Sequence, residues 1–479
     1  MASGGELATV GARARVRFGR PSPRILGAYT LAFWRDPIGS LLTLARNDDD
    51  VVHWKFGGTD TYLLKDPEHI KRVLVTDHRA FMKGRALQVA RRVLGNGLLT
   101  SEGEFHDRHR RLLRPLFLPE RVADYGPRMV EGAERTSARW QEGETVDLQR
   151  EMARLTLAIV GDTIFAADLG AEADELANAL TVSLDALNLF MLPYLGALER
   201  LPLPSVRRFR RAQARLDRTV ARLIDERRAS GKRGDDLPSL LLAAAERNGW
   251  RETEMRDEAI TILLAGHETT ATALTWTWHL LACHPDVEGT LHRELDRELS
   301  GRPPAPGDLP RLSYADMVVR EALRLYPPAW LIGRRALVDY HLEEYEIGAG
   351  SIVIVSPYVT HHDPRFYPDP FRFDPGRWTP EERERRPRYS YFPFGAGRRV
   401  CIGETFAWTE ALLVLATLAQ RWRLRSLPGY EARLEPRVTL RPKGGMPMTL
   451  ARRTLVWEES ARRRGGASAP GSGGDAPSP

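Results

Sequence analysis

Apolar positions in this chain recur mostly every three or four residues, and strict alternation is confined to short stretches. That pattern predicts a mainly α protein with small β-sheets. Glu104–Ala244 is dominated by the helical period, and within it Ser205–Arg228 interleaves arginine with apolar residues. Glu252–Cys283 predicts one long helix that stops before Pro285, and a further helix runs to Leu299. Tyr314–Tyr326 ends at Pro327-Pro328, and a last helix covers Ile402–Trp422. Strands are expected early and in small number. Val51–Phe56 and Thr61–Lys65 flank Gly57-Gly58 as a hairpin, and Tyr345–Val355 reads as a second hairpin about Gly348 and Gly350. Residues 1–24 read as an irregular arm, 25–460 as a single domain, and the Gly, Ser, Ala and Pro of 461–479 as a disordered tail.

Composition narrows the possible classes. With 479 residues, 42% of them hydrophobic and 28% charged, the chain can bury a large core and still enclose a cofactor. The net charge of +7 comes without a concentrated basic tail or interleaved aromatics, so no nucleic-acid partner is expected. The two cysteines, Cys283 and Cys401, form no disulfide framework and suit a reducing cytoplasmic setting. The most apolar run near the start, Ile25–Phe33, is too short to span a bilayer, so no transmembrane segment is expected. Cys283 sits late in an apolar helix and is expected in the core.

The most informative stretch is Phe394-Gly395-Ala396-Gly397-Arg398-Arg399-Val400-Cys401-Ile402-Gly403. A cysteine where a Gly-rich turn enters a helix gains from the helix dipole and free N–H groups, which favour a thiolate. The glycines let backbone approach a flat macrocycle, and Arg399 can pair with a carboxylate on it. Taken alone, such a cysteine is more often an inert core thiol. The ten-residue pattern, however, resembles the haem-binding signature of the cytochrome P450 superfamily, with every specified position met. The resemblance implies the fold of that family, with haem b (iron protoporphyrin IX) between a long central helix and a Cys-bearing loop. It also implies Cys401 as the metal ligand and Phe394, Gly395 and Gly403 as parts of the haem loop.

Three further segments agree in chain order. Glu321-Ala322-Leu323-Arg324 sets opposite charges one helical turn apart, and Pro370–Trp378 resembles the family's meander. The resemblance implies a structural triad of Glu321, Arg324 and Arg377. Ala265-Gly266-His267-Glu268-Thr269-Thr270 places glycine and polar residues in an apolar helix, a costly choice. It resembles the family's oxygen-activation motif, which implies room for dioxygen at Gly266, a hydrogen bond to oxygen and water from Thr269, and proton relay by Glu268. The bland reading is a helix bend with threonine bonding back to the preceding turn. A zinc-protease reading of His267-Glu268 fails, because Ala271 stands where the second histidine would be. His106 and Arg110, one turn apart in a dense cationic face with Arg108, His109, Arg111 and Arg114, match the family's propionate-binding positions. Arg334, beside Arg335, matches another.

By the same analogy the substrate pocket would include Phe190, Leu192, Ile262, Ala265, Trp330, Leu331, Ile332 and Met446. These are largely apolar, which argues for an apolar substrate such as a fatty acid, terpenoid or carotenoid. Glu321–Trp330, Tyr358-Val359-Thr360 and Val438–Gly445 resemble bacterial carotene and fatty-acid hydroxylases. No Gly-rich phosphate loop follows a strand, so electrons would come from a separate ferredoxin or flavodoxin, docking on Arg108, Arg111, Arg114 and Arg398. The expected activity is insertion of one atom of O2 into the substrate. The rival readings are a peroxide-driven enzyme on the same fold and a haem-binding sensor; both lose ground to Glu268-Thr269, which neither needs.

Overall fold

The computed structural model describes residues 28–191 and 203–453, so the expected arm and tail, and Leu192, lie outside the described residues. The backbone of Phe190 is described but its side chain is not. Among the described residues no helix is long and apolar enough to cross a membrane. The chain gathers into two compact units. One holds the residues up to Arg91 with Ala329–Pro370 and Arg386–Cys401; the other holds Arg92–Pro328, Phe371–Arg385 and the chain from Ile402 onward.

The first unit is built on a mixed five-stranded sheet. Its strands are β1 (Val51–Phe56), β2 (Thr59–Leu64), β3 (Phe81–Lys83), β4 (Ile332–Ala336) and β7 (Ile352–Val355), in the order β1-β2-β7-β4-β3. The expected first hairpin is present: β1 and β2 are antiparallel, and Gly57 and Gly58 turn the chain at φ +54° and +83°. The second expected hairpin is not. β6 (Tyr345–Ile347) pairs with β5 (Tyr340–Leu342), whereas β7 leaves for the large sheet, parallel to β2 and antiparallel to β4. The turn donors explain the separation. Gly350 N–H bonds to the Ala336 carbonyl at 2.9 Å and Ala349 N–H to Asp339 Oδ1 at 2.7 Å, so the turn is tied to the end of β4. One face of the sheet buries Leu64, Val353 and Phe81 with Val73, Leu74 and Phe392.

The second unit is helical. It contains α1 (Gly103–Leu113), α2 (Pro119–Arg139), α3 (Leu148–Val160), α4 (Ala173–Met191), α5 (Pro204–Ser230), α6 (Glu252–Cys283), α7 (Pro285–Leu299), α8 (Ser313–Leu325) and α9 (Glu404–Ala419). The apolar repeat locates these well because each is long. It overruns at α9: the chain has turned by Ala419, and Trp422–Ser426 is a strand. That strand, Pro447–Arg452 and Thr145–Asp147 form an antiparallel sheet, so strands also accumulate late in the chain, contrary to the sequence expectation. Large aromatics fill the unit. Trp276 stacks on Tyr326 with centroids 4.1 Å apart and donates to the Leu440 carbonyl at 2.8 Å. Cys283, expected in the core, is exposed, since it lies at the last turn of α6 where the helix face reaches solvent.

Glu321 and Arg324 on α8 have no exposed surface. Arg324 donates to both carboxylate oxygens of Glu321 at 2.8 Å and to the Arg372 carbonyl at 3.1 Å. Glu321 also accepts from Trp378 Nε1 at 2.8 Å and from Asp374 N–H at 3.0 Å. Arg377 Nε stands at 3.4 Å. The indole and backbone N–H of the meander thus make tighter contacts with Glu321 than the arginine that completes the expected triad.

Two predictions follow from buried charge in this unit. Glu321→Ala leaves Arg324 buried without a counter-ion and should cost about 3–5 kcal/mol in urea unfolding; a loss under ~1 kcal/mol would contradict the burial. His292 on α7 is buried, and burial together with Arg453, Arg423 and Arg425 pushes its pKa down to about 3. The unfolded chain, with histidine near the ordinary value of about 6.5, then binds the extra proton between those two values. Stability should be full above that ordinary value and fall as pH drops toward the folded one, by at most ~1.4 kcal/mol per pH unit. His292→Leu should flatten this slope in acid denaturation, and an unchanged slope would refute the assignment.

Candidate active site

Cys401 closes the loop that leads into α9. Its N–H donates to the Phe394 carbonyl at 3.0 Å, which ties the two ends of the loop together. Gly395 and Gly397 sit at φ +73° and +70°. At Gly397 a Cβ would lie 2.2 Å from the Leu74 carbonyl oxygen, so only glycine lets the loop lie against that backbone. Ala396 is buried, Phe394 and Arg399 are half-buried, and Cys401 is exposed. A cysteine held by backbone bonds at an exposed position is the donor that a thiolate-ligated haem iron takes from a protein. On β4 the strand alternation separates the two neighbouring arginines: Arg334 is buried and Arg335 exposed, so Arg334 is the inward one.

In the helical unit, α6 is buried from Glu258 to Trp278 except at three residues: Ala265 is exposed, and Gly266 and Thr269 are half-buried. Ala265 and Thr269 lie one turn apart on one face, and the Thr269 hydroxyl donates to the Ala265 carbonyl at 2.9 Å. Gly266 does not serve that face. A Cβ there would sit 3.0 Å from Val160 Cγ2, so the glycine lets α3 approach α6. Thr156, also on α3, donates to the His267 carbonyl at 3.0 Å.

Glu268 is buried and accepts the Thr439 hydroxyl at 3.0 Å on Oε1. Beyond it stands Arg441, which pairs with Glu435 at 2.9 Å and Asp185 at 2.7 Å. Burial works against its charge, but Asp185, Glu435 and Glu268 hold its pKa above the usual value. His267 has no exposed surface, bonds through Nδ1 to the Leu263 carbonyl at 2.7 Å, and is kept neutral by burial. Glu410 on α9 was not singled out from the sequence. It is fully buried, both oxygens lack a hydrogen-bond partner among the described residues, and burial pushes its carboxyl well above the usual range. The nearby Thr270 hydroxyl opposes that shift only weakly.

On α1, His106 is buried with Nδ1 3.1 Å from the Leu98 carbonyl. Donation from Nδ1 leaves Nε2 a proton donor only in the imidazolium form, the form that a carboxylate partner favours. Arg110 lines a cavity of about 400 Å³ with Arg114, Phe117, Leu118, Pro119 and Ile402. His109, expected on the cationic face, is instead fully buried. It stacks between Phe105 and Trp250, with centroids 3.9 and 4.0 Å away, and pairs with the buried Glu258. Neither contact could be seen from the local pattern, because Trp250 and Glu258 are distant in sequence.

Of the expected pocket residues, Ala265 is exposed, Leu331 and Ile332 are half-buried, and Ile262 and Trp330 are buried. The Trp330 carbonyl accepts the Ser356 hydroxyl at 2.7 Å. Met446 has no accessible surface, so its side chain is core rather than pocket wall. Its N–H bonds to Asp147 and its carbonyl to Leu148 N–H, which draws the residue under the start of α3. In the first unit the glycine loop of Cys401 and the inward Arg334 suit an iron porphyrin, and in the second the cavity lined by Arg110 and Arg114 carries the charge that a propionate takes.

Comparison with known proteins agrees with this fit. The sequence profile of the family described as Cytochrome P450 matches residues 18–447. The chain is 40% identical over 420 residues to cyclooctatin synthase of Streptomyces melanosporofaciens, covering 87% of this chain and 91% of that one. It is 38% identical over 405 residues to cyclooctat-9-en-7-ol 5-monooxygenase of the same organism, covering 84% and 88%. With pentalenene oxygenase of Streptomyces avermitilis it shares 37% identity over 405 residues, covering 83% and 89%. The crystal structure of the cytochrome P450DA heme domain superposes with a TM-score of 0.79 at 27% identity, covering 89% of this chain and 96% of that one. The chain belongs to the cytochrome P450 family of haem b monooxygenases.

Proposed function

We propose that this protein hydroxylates an apolar terpenoid, with Cys401 as the residue that would hold the haem iron and a separate ferredoxin or flavodoxin as electron donor. The observation that carries the reading is Cys401 itself, an exposed residue fixed through its backbone in a glycine loop. Relatives named for cyclooctatin, cyclooctat-9-en-7-ol and pentalenene favour a terpenoid over the fatty-acid and carotenoid alternatives. Haem, when bound, supplies the iron at which O2 is reduced and from which one oxygen atom passes to substrate.

The residues of this chain divide the remaining work. Arg334, Arg399, His106 and Arg110 would hold the propionates, with Phe394, Gly395 and Gly403 shaping the loop. Ala265 and Thr269 give the helix its open face. Thr269 offers a hydroxyl to oxygen or water there, and Glu268 holds or passes a proton through the Thr439 hydroxyl that it accepts. Glu321, Arg324 and Arg377 support the fold that retains the cofactor. Ile262, Trp330, Leu331 and Ile332 remain candidates for the substrate wall; Phe190 and Leu192 fall where no side chain is described. Arg111, Arg114 and Arg398 are exposed, as a surface for an acidic donor requires, whereas Arg108 already leans on Glu254 at 3.8 Å. A cytoplasmic location suits both the cysteine usage and such a donor.

Reduced wild-type protein under carbon monoxide should show the long-wavelength Soret band of thiolate ligation, and Cys401→Ser should lose it. Cyclooctat-9-en-7-ol or pentalenene should then displace the ferric spectrum toward high spin at lower concentration than a fatty acid. A wild-type band typical of histidine ligation would overturn the ligand, and tighter binding of the fatty acid would overturn the substrate class. Glu268→Gln should lower product formation about a hundredfold, in the usual range for a lost proton-transfer group, while raising peroxide release. Thr439→Val should shift both in the same direction by a smaller factor. Unchanged ratios of product to peroxide in both variants would remove Glu268 from the proton path.

A further inference from the structure

The arginines of α5 are unevenly balanced. Its first half, Pro204–Leu216, carries Arg207, Arg208, Arg210, Arg211 and Arg215 and no acidic residue. Its second half interleaves acids, with Arg222–Glu226 at 3.1 Å and Asp217 paired to Arg256 at 2.7 Å. Arg207, Arg208 and Arg211 make no ion pair among the described residues, although they stand three and four positions apart, where like charges on a helix repel. The like-charged stripe continues to Arg215, which is held by Glu172 and Glu175 at 2.9 Å and whose Nε is buried without a partner.

These side chains line a cleft of about 520 Å³ together with Glu175, Asn178, Ala179, Val182, Pro204 and Ala212. Pro204 opens α5, and Leu203 before it offers no capping side chain, so the first-turn N–H groups lack a side-chain acceptor there. The positive end of a 27-residue helix therefore meets three unpaired guanidinium groups in one concave, partly apolar site.

We propose that this cleft binds a multiply charged phosphate ester, such as an organic diphosphate. Its head would lie against Arg207, Arg208 and Arg211, and its apolar part against Val182, Ala179 and Ala212. Guanidinium groups match phosphate oxygens two at a time, and three uncompensated positive charges suit a diphosphate better than a single carboxylate. None of these residues belongs to the haem or substrate machinery proposed above, so the inference stands or falls apart from that reading.

The test is calorimetric titration of the haem-loaded full chain with inorganic pyrophosphate at fixed ionic strength, with sodium sulfate as the matched anion. The wild type should bind pyrophosphate saturably and more tightly than sulfate. The variant Arg207→Gln, Arg208→Gln, Arg211→Gln should bind about a hundredfold more weakly or worse, the scale for losing several charge-assisted hydrogen bonds. A control that removes three arginines elsewhere, Arg251→Gln, Arg297→Gln and Arg385→Gln, should bind as the wild type does. An intact carbon monoxide spectrum certifies that both variants are folded. No saturable binding by the wild type, equal weakening in the control, or an unaffected triple variant would overturn the proposal. So would binding to phosphatidylglycerol vesicles that pyrophosphate fails to compete, which would assign the arginines to a membrane surface.

Discussion

A carboxylate taken out of water must find a donor, a counter-ion or a proton, because an uncompensated buried charge costs several kcal/mol. Among the described residues the helical unit buries eight of them, and four, Glu258, Glu268, Glu321 and Glu410, are resolved in four different ways. Glu321 meets a bidentate arginine, an indole and a backbone N–H. Glu258 meets His109 inside an aromatic sandwich. Glu268 accepts a hydroxyl, with Arg441 beyond it. Glu410 has no hydrogen-bond partner among the described residues, and burial favours its neutral acid against the nearby Thr270 hydroxyl. These solutions fix helix α8 to the meander, α1 to α6, and α6 to the segment around Thr439. The architecture of the unit is in large part the record of how its acids are compensated.

The same constraint separates structural polarity from chemical polarity. A fully satisfied cluster such as Glu321–Arg324 has no spare donor or acceptor capacity and holds elements together. Glu268 differs, since a single neutral hydroxyl satisfies one oxygen and leaves the other 4.0 Å from His267. His267 in turn is kept neutral by burial and spends Nδ1 on its own helix. A carboxyl with one light contact can change partners at small structural cost, whereas one gripped by arginine cannot.

Sequence reading reached the long helices and the short motifs because both are local. A period of three to four residues needs only its own helix, and the cysteine loop is a contiguous ten-residue pattern. What escaped was set by partners far along the chain. His109 belongs by spacing to a cationic face, yet it is drawn inward by Trp250 and Glu258. Met446 sits in a Gly-Pro turn that looks like a loop over a pocket, but Asp147 and Leu148 pull it into the core. Tyr345–Val355 has the composition of a hairpin, and its two strands separate because each finds a better neighbour elsewhere. Thr439 lies in a segment noted only for its resemblance to other hydroxylases, and Glu410 carried no pattern at all; only burial and contact reveal their roles.

Helix α6 shows how one residue of rotation changes the chemistry assigned to a motif. Residues 265 and 269 share a face, while 266 is turned by about 100°. In this chain that rotation aims Gly266 at Val160, where the absent side chain lets two helices close on each other. The exposed position is Ala265, and the hydroxyl beside it is that of Thr269, anchored to the Ala265 carbonyl. Thr156 on α3 takes the carbonyl of His267, so the close approach licensed by glycine also holds the backbone next to the acid. The glycine is needed for packing, and the alanine supplies the open surface. Enlarging residue 265 would therefore crowd the exposed face and leave the helix contact intact, whereas enlarging residue 266 would force α3 and α6 apart and disturb Glu268 through its backbone.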